Sequence, residues 1–250
     1  MKLDFQGSNI SDVMLNIVKE FHLNSATEAF GLSIEVKGFD SQGDVIENNF
    51  IRNRFDNFLQ HKSLQPIRTV ANTIFPENLW NKRLERKILY NRYNLIIPKL
   101  LKCPKNRLGL YFNRMINYPG GSGNINQLEE IISYYKSGTR RRSAFQISIW
   151  SPEHDLKNVP QRGFPCLQHI VFAPNKSKLM SFAFYASQYL FERAYGNALG
   201  ICNLSKFVAH ELGIELNSVK IFVGIEKLNM PMKDVSQFLN LMKTEESCES

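Results

Sequence analysis

A cysteine that follows a proline, Cys166 in Gly163-Phe-Pro-Cys166-Leu-Gln-His-Ile-Val-Phe172, is the side chain of this sequence best placed for nucleophilic work. A thiol attacks usefully only as the thiolate, so such a role requires positive charge that favours the ionised form. Arg162, four residues before it, and the run Arg140-Arg141-Arg142 are the cations the sequence offers for that field. The alternative is inert, because a lone cysteine on a strand edge commonly packs as a small apolar side chain. Cys103, Cys166, Cys202 and Cys248 have no CxxC spacing and no paired histidine cluster, so neither a metal site nor a disulfide framework is expected.

A second polar group lies downstream, in Tyr185-Ala-Ser187-Gln-Tyr-Leu-Phe-Glu-Arg-Ala-Tyr-Gly-Asn197. These two segments together resemble the thymidylate synthase family, in which a Pro-Cys-His at a strand start presents the nucleophile. Cys166 stands in the nucleophile's place, followed by Leu167 instead of histidine. At constant spacing from it, Ala186 stands at the family's phosphate-binding arginine and Ser187 at its serine. Tyr189 stands at its aspartate, and Asn197 at the asparagine that reads the pyrimidine. Upstream, Tyr111 to Pro119 has the spacing of the family's active-site tyrosine segment, and Asn126-Gln127 resembles its Asp-Gln helix start. Arg140, Arg141 and Arg142 then follow that helix as the family's arginine pair does, which reaches across a dimer interface to the partner's nucleotide phosphate. In Val223-Gly-Ile-Glu-Lys-Leu-Asn229, Lys227 and Asn229 replace the His and Tyr that bind the sugar hydroxyl. The resemblance covers about residues 108–229.

The resemblance implies an α/β (α+β) fold, a thymidylate synthase-like mixed sheet flanked by helices. It implies one-carbon transfer to C5 of a pyrimidine nucleotide, with Cys166 as nucleophile. Asn197, Ser187, Tyr111, Arg140, Arg141 and Arg142 are then the substrate-binding residues, methylenetetrahydrofolate the one-carbon donor, and a homodimer the working form. The chemistry is sound: a thiolate adding to C6 of uracil makes C5 nucleophilic, and the Asn197 amide matches the N3 hydrogen and O4 of that ring. Each residue also has a bland reading, Asn197 on a helix surface and Ser187 as a helix cap. Ala186 and Tyr189 remove a guanidinium and a carboxylate, and Thr-Glu-Glu-Ser-Cys-Glu-Ser250 is not the apolar end that closes over folate in the family. A second reading is therefore a catalytically retired homologue that binds nucleotide or protein.

The elements that must carry these residues are visible in the hydrophobic pattern. Ile10, Val13, Met14, Ile17, Val18 and Phe21 share one helix face. Residues 30–39 alternate as a strand, with a second strand expected near Val45 to Ile51 after the SQGD turn. A long helix is expected over Leu79 to Leu100, a shorter one over 125–136 ending at Ser137-Gly138, and strands over 143–150, His169 to Phe172, Leu179 to Tyr185 and Ser218 to Ile225. A broad apolar stripe predicts a core helix over Gln188 to Leu212, capped by Gly213.

The chain has 250 residues, 43% hydrophobic and 22% charged, with 18 Phe, enough to bury a full core. We expect one domain over residues 1–243 and a disordered polar tail over 244–250. No run approaches the roughly 18 apolar residues of a membrane span, so a cytoplasmic protein without a membrane partner is expected. The net charge of +8 favours anionic ligands, but charge alone does not predict a nucleic-acid partner.

Overall fold

A computed structural model describes residues 1–104, 106, 109–121, 123–139, 141–156 and 164–243. Its centre is a six-stranded mixed sheet in the order β1-β2-β6-β5-β4-β3. The strands are β1 (Asp4–Gly7), β2 (Glu28–Val36), β3 (Gln146–Ser148), β4 (Leu167–Asn175), β5 (Lys178–Tyr189) and β6 (Glu215–Lys227). β1 and β2 run parallel, as do β5 and β6; the other pairs are antiparallel. The described helices are α1 (Ile10–Leu23), α2 (Asn49–His61), α3 (Ile67–Ile74), α4 (Arg86–Leu100), α5 (Tyr111–Ile116), α6 (Gln127–Lys136), α7 (Pro152–Asp155), α8 (Tyr195–Leu212) and α9 (Met232–Lys243). The expected mixed α/β class is thus observed, and among the described residues no helix is long and apolar enough to cross a membrane.

Helix α8 is the spine of the helical layer. Every residue from Tyr195 to Ala209 is buried, and the helix ends where Gly213 turns left-handed at φ +68°. Its two glycines permit a close crossing. A Cβ on Gly196 would lie 2.5 Å from the Val70 Cβ and 2.8 Å from the Ile67 carbonyl, and one on Gly200 would lie 2.8 Å from the Ala71 carbonyl. α3 therefore rests directly on the α8 backbone. Gly196→Ala is expected to destabilise the protein by about 1–3 kcal/mol, because backbone as well as side chain must move. Urea unfolding of the variant measures this, and an unchanged midpoint would show that the two helices part freely.

The sheet alternates in and out until one row, where the phase slips. Leu32, Ile34 and Val36 are buried, but so is Ala29, three residues from Leu32. Tyr185 and Gln188 repeat this spacing on β5, as do Val223 and Glu226 on β6. Strict period-two alternation would put the two members of each pair on opposite faces. The slip runs through Gly31, Gly224 and Ala186. Gly31 has φ +75°, and a Cβ on Gly224 would stand 2.8 Å from the Ala186 carbonyl. Beyond Ala186 the row reaches Cys166, whose carbonyl accepts from the Ala186 N–H at 3.0 Å. The slip turns Gln188 and Glu226 inward, beside the start of α8. The other face of the sheet leaves Phe30, Phe182, Phe184 and Phe222 between 40% and 65% exposed, with Phe184 and Phe222 stacked at 5.7 Å.

Several local expectations are corrected. The strand expected near Val45 to Ile51 is a single bridge from Phe39 to Val45, and α2 begins at Asn49 because the Asn48 carboxamide accepts from the N–H groups of Phe50 and Ile51. The helix expected from Leu79 starts only at Arg86, after a short turn at Glu77–Leu79. β5 runs on to Tyr189, so the helix expected from about Gln188 begins at Leu190, as a π-helical turn over Leu190–Ala194 that continues directly into α8. Helices α3, α5, α7 and α9 and strand β1 are additions. The expected polar tail lies outside the described residues.

Candidate functional site

The segment before Cys166 is held by aromatic packing. The Phe164 ring lies 5.3 Å from that of Tyr111, with the Arg114 guanidinium 5.3 Å above it. Arg114 is fixed in turn by two hydrogen bonds to the Asp155 carboxylate, at 3.0 and 3.1 Å. Gly109, at φ +139°, leaves room for Phe164, since a Cβ there would come within 2.6 Å of its ring. The α6 start also serves as a clamp. Asn126 caps the helix through the Glu129 N–H, while Gln127 exchanges two hydrogen bonds of 2.8 Å with the backbone of Ser148 on β3.

Cys166 is half-buried at the head of β4. Burial pushes its thiol up, and the Arg193 guanidinium acts in the opposite direction. Among the described residues Arg193, on the π-helical turn before α8, is the cation acting on the thiol; its direction was not readable from the sequence. Arg141 and Arg142 are exposed, and Arg141 hydrogen-bonds Ser143. Arg140 and Arg162 lie outside the described residues.

Tyr111 begins α5, a helix the sequence did not announce, and the backbone of Cys166 and Leu167 acts on its phenol. Burial pushes that phenol well up, so it stays protonated. Tyr185, fully buried beneath, is raised further by burial, with Tyr111, Cys166 and Glu226 adding to the effect. These four side chains form one electrostatic neighbourhood.

Asn197 lies in the first turn of α8 and is buried, not on the surface. Its Nδ2 donates to Gln188 Oε1 at 2.9 Å, and Gln188 Nε2 donates to Glu226 Oε2 at 2.7 Å. Burial holds the Glu226 carboxyl far above the usual carboxylate range, so it is neutral, with Gln188 opposing weakly. Glu226 Oε1 and the Tyr185 hydroxyl have no partner among the described residues. Sequence reasoning missed Glu226 and Gln188; their signal was the broken alternation of β5 and β6.

Other expected positions sit apart. Ser187 pairs with Ile225, which pairs with the exposed Phe30, placing it beyond the slip. Tyr189 is 43% exposed. Lys227 pairs with Glu28 at 3.3 Å, and Asn229, at φ +51°, donates to Glu192. A cavity of about 440 Å³ opens elsewhere, among Glu47, Arg52, Asn53, Arg68, Asn72 and Asn203.

No family model matches the chain. Two archaeal proteins curated under the name "Putative thymidylate synthase" are similar to it. That of Methanocaldococcus jannaschii is 29% identical over 106 residues, covering 42% of this chain and 47% of the relative. That of Methanothermobacter thermautotrophicus is 28% identical over 111 residues, covering 44% and 46%. The chain spans about half the length of the curated relatives it matches. The resemblance to thymidylate synthases is thus divergent and partial.

Proposed function

We propose that this protein binds a pyrimidine nucleotide beside Cys166 and adds the thiol sulfur to C6 of the ring, preparing C5 for a one-carbon electrophile. The observation that carries this reading is the neighbourhood itself: a half-buried thiol with Arg193 acting on it, next to the half-buried Tyr111 and the fully buried Tyr185, with Glu226 hydrogen-bonded through Gln188 to Asn197. Tyr111 stays protonated and can donate to ring oxygen, while Arg193 favours the thiolate. The relatives named as thymidylate synthases support the family resemblance from which the reading starts. Folate fits poorly here. Tyr189, at the register of the family's aspartate, is a surface phenol with no carboxylate for a pterin. Incubation with 5-fluorodeoxyuridylate tests the reading: a covalent adduct on Cys166 is expected, and its absence together with undetectable nucleotide binding overturns it.

The retired-homologue reading is favoured by one observation, that burial keeps the Cys166 thiol largely protonated. Nucleotide binding with no adduct at any pH is its signature.

The working form under either reading is a homodimer joined through the open sheet face. Four exposed phenylalanines on one face form an apolar patch of the kind that covers itself by pairing with a second copy. Phe184→Asp with Phe222→Asp is expected to convert the dimer to monomer in sedimentation experiments. A wild-type monomer at every concentration would remove this part of the proposal.

A further inference from the structure

Away from Cys166, the helical layer leaves a gap where close packing would otherwise continue. α3 rests on the α8 backbone at Gly196 and Gly200, yet beside that contact α2, α3 and α8 line the cavity of about 440 Å³, together with the segment 44–47 and Glu77. Each helix contributes two residues one turn apart: Arg52 and Asp56 from α2, Arg68 and Asn72 from α3, Leu199 and Asn203 from α8. Protein interiors ordinarily close a gap of this kind with apolar side chains. Here the walls are carboxylates, amides and guanidiniums, and several have bonding capacity to spare. Glu47 Oε1 accepts from both Arg52 and Tyr195, at 2.5 and 2.8 Å, while its Oε2 has no partner among the described residues. Asn203 is only 7% exposed, and its one side-chain hydrogen bond among the described residues is a long one of 3.4 Å to Glu77. The Glu77 carboxylate otherwise meets the Lys206 ammonium, at 3.6 Å. The Arg68 and Asn72 side chains have no hydrogen bond or ion pair among the described residues.

The charges are ordered along α3. Arg68 stands in its first turn, Asn72 one turn on, and Glu77 past its end, with about 9 Å of helix rise from Arg68 to Ile74 alone. Four carboxylates, Asp44, Glu47, Asp56 and Glu77, line the cavity with two guanidiniums, Arg52 and Arg68. The buried Lys206 ammonium, paired with Asp44 and Glu77, makes three cations against four anions and leaves one negative charge in excess. We propose that this cavity binds an extended basic amino acid of the lysine or arginine class. Its carboxylate pairs with Arg68, its side-chain cation with the Glu77 and Glu47 carboxylates, and its polar centre with Asn72 and Asn203. Such a ligand has the net charge of +1 that the walls lack, with its anionic and cationic ends held apart by the side chain, as Arg68 and Glu77 are by α3. A guanidinium takes a carboxylate bidentately, and a cationic N–H group gives Glu47 Oε2 the donor that the fold does not. A neutral polyol would leave the excess charge unmatched, and an acidic amino acid would add to it. No lining residue belongs to the Cys166 neighbourhood, so the inference goes beyond the pyrimidine reading and does not depend on it.

Calorimetric titration of the full chain with L-lysine and L-arginine tests the proposal against four comparison compounds. Cadaverine lacks the carboxylate of lysine, L-norleucine lacks its side-chain amine, L-glutamate reverses the side-chain charge, and D-ribose is a neutral polyol. Lysine or arginine is expected to bind, with cadaverine and norleucine each weaker by at least about tenfold, since each loses one charge-assisted contact. Arg68→Met should remove the preference for lysine over cadaverine and keep that over norleucine, and Glu77→Gln should do the converse. Because Arg68 holds no other side chain among the described residues, the thermal midpoint of Arg68→Met should match that of the wild type, so that its effect reads as a lost ligand contact. Failure of both basic amino acids to bind at millimolar concentrations overturns the proposal, as does tighter binding of glutamate or ribose. So does a preference ratio that its own variant leaves unmoved. The fluorodeoxyuridylate adduct on Cys166 is a separate measurement, so failure at this cavity leaves the pyrimidine reading in place.

Discussion

Cys166→Ala is expected to eliminate the fluorodeoxyuridylate adduct completely and to lower any one-carbon transfer by on the order of 10³ to 10⁶-fold, the range seen when a covalent nucleophile is removed. Reversible nucleotide binding should change by less than about threefold, because alanine leaves hydrogen bonds to the base intact and removes only the attacking atom. The pH dependence carries a sign that separates this mechanism from adventitious alkylation at the exposed Cys103. Burial raises the Cys166 thiol above its ordinary value of 9.0, so the thiolate is the minor form at neutral pH. Adduct formation should therefore climb about tenfold per pH unit through neutrality and level off only above that ordinary value. Arg193 opposes the shift, so Arg193→Met should move the plateau to still higher pH and slow the reaction at any fixed lower pH. Mass spectrometry of the modified peptide across pH reads both effects. A flat profile, or a rate insensitive to Arg193, would place the thiol outside the chemistry.

The sequence revealed those elements whose periodicity runs long enough to declare itself. α1 and α6 appeared with nearly their observed bounds, as did the turn between β4 and β5 and the Gly213 cap. α3 was hidden between Pro66 and Pro76, although Ile67, Val70, Ala71 and Ile74 have helical spacing; its length is set by contact with Gly196 and Gly200 far along the chain. The same distance limit applies at the site. Cys166 and Asn197 stand out as residue types, and Tyr111 by its spacing. The partnership of Gln188 with Glu226 depends on which strands run side by side, and a pattern confined to one strand contains no such information. Arg193 illustrates a third limit. The helix expected over its position is present, but as a π-helical turn, whose winding departs from the 3.6-residue period by which side-chain directions are read from sequence.

Glu226→Gln should make the protein more resistant to urea, and increasingly so as pH rises. The carboxyl is held neutral in the folded state by complete burial, well above its ordinary value of 4.5. In the unfolded chain it ionises near that ordinary value, so folding takes up a proton in the interval between. For a group whose folded pKa is raised, the stability contribution is fully present below the unfolded pKa and is lost as pH rises through the folded one. Within that interval the loss is about 1.4 kcal/mol per pH unit. Glutamine carries no titrating proton and its curve lacks this slope, so variant and wild type should nearly coincide close to pH 4.5 and diverge above it. Other shifted groups do not imitate the result. His169 is lowered by burial and works in the opposite direction, costing stability as pH falls, and its contribution cancels in the difference between the two proteins. Glu129 is lowered by Arg86 and matters only at acid pH, again equally in both. Parallel urea midpoints from pH 5 to pH 8 would mean that Glu226 is charged when folded, and the neutral-acid description of the inner chain would be wrong. Divergence would show that the protein keeps a destabilising acid at a position where an amide of the same size is more stable, a cost that selection for stability alone does not explain.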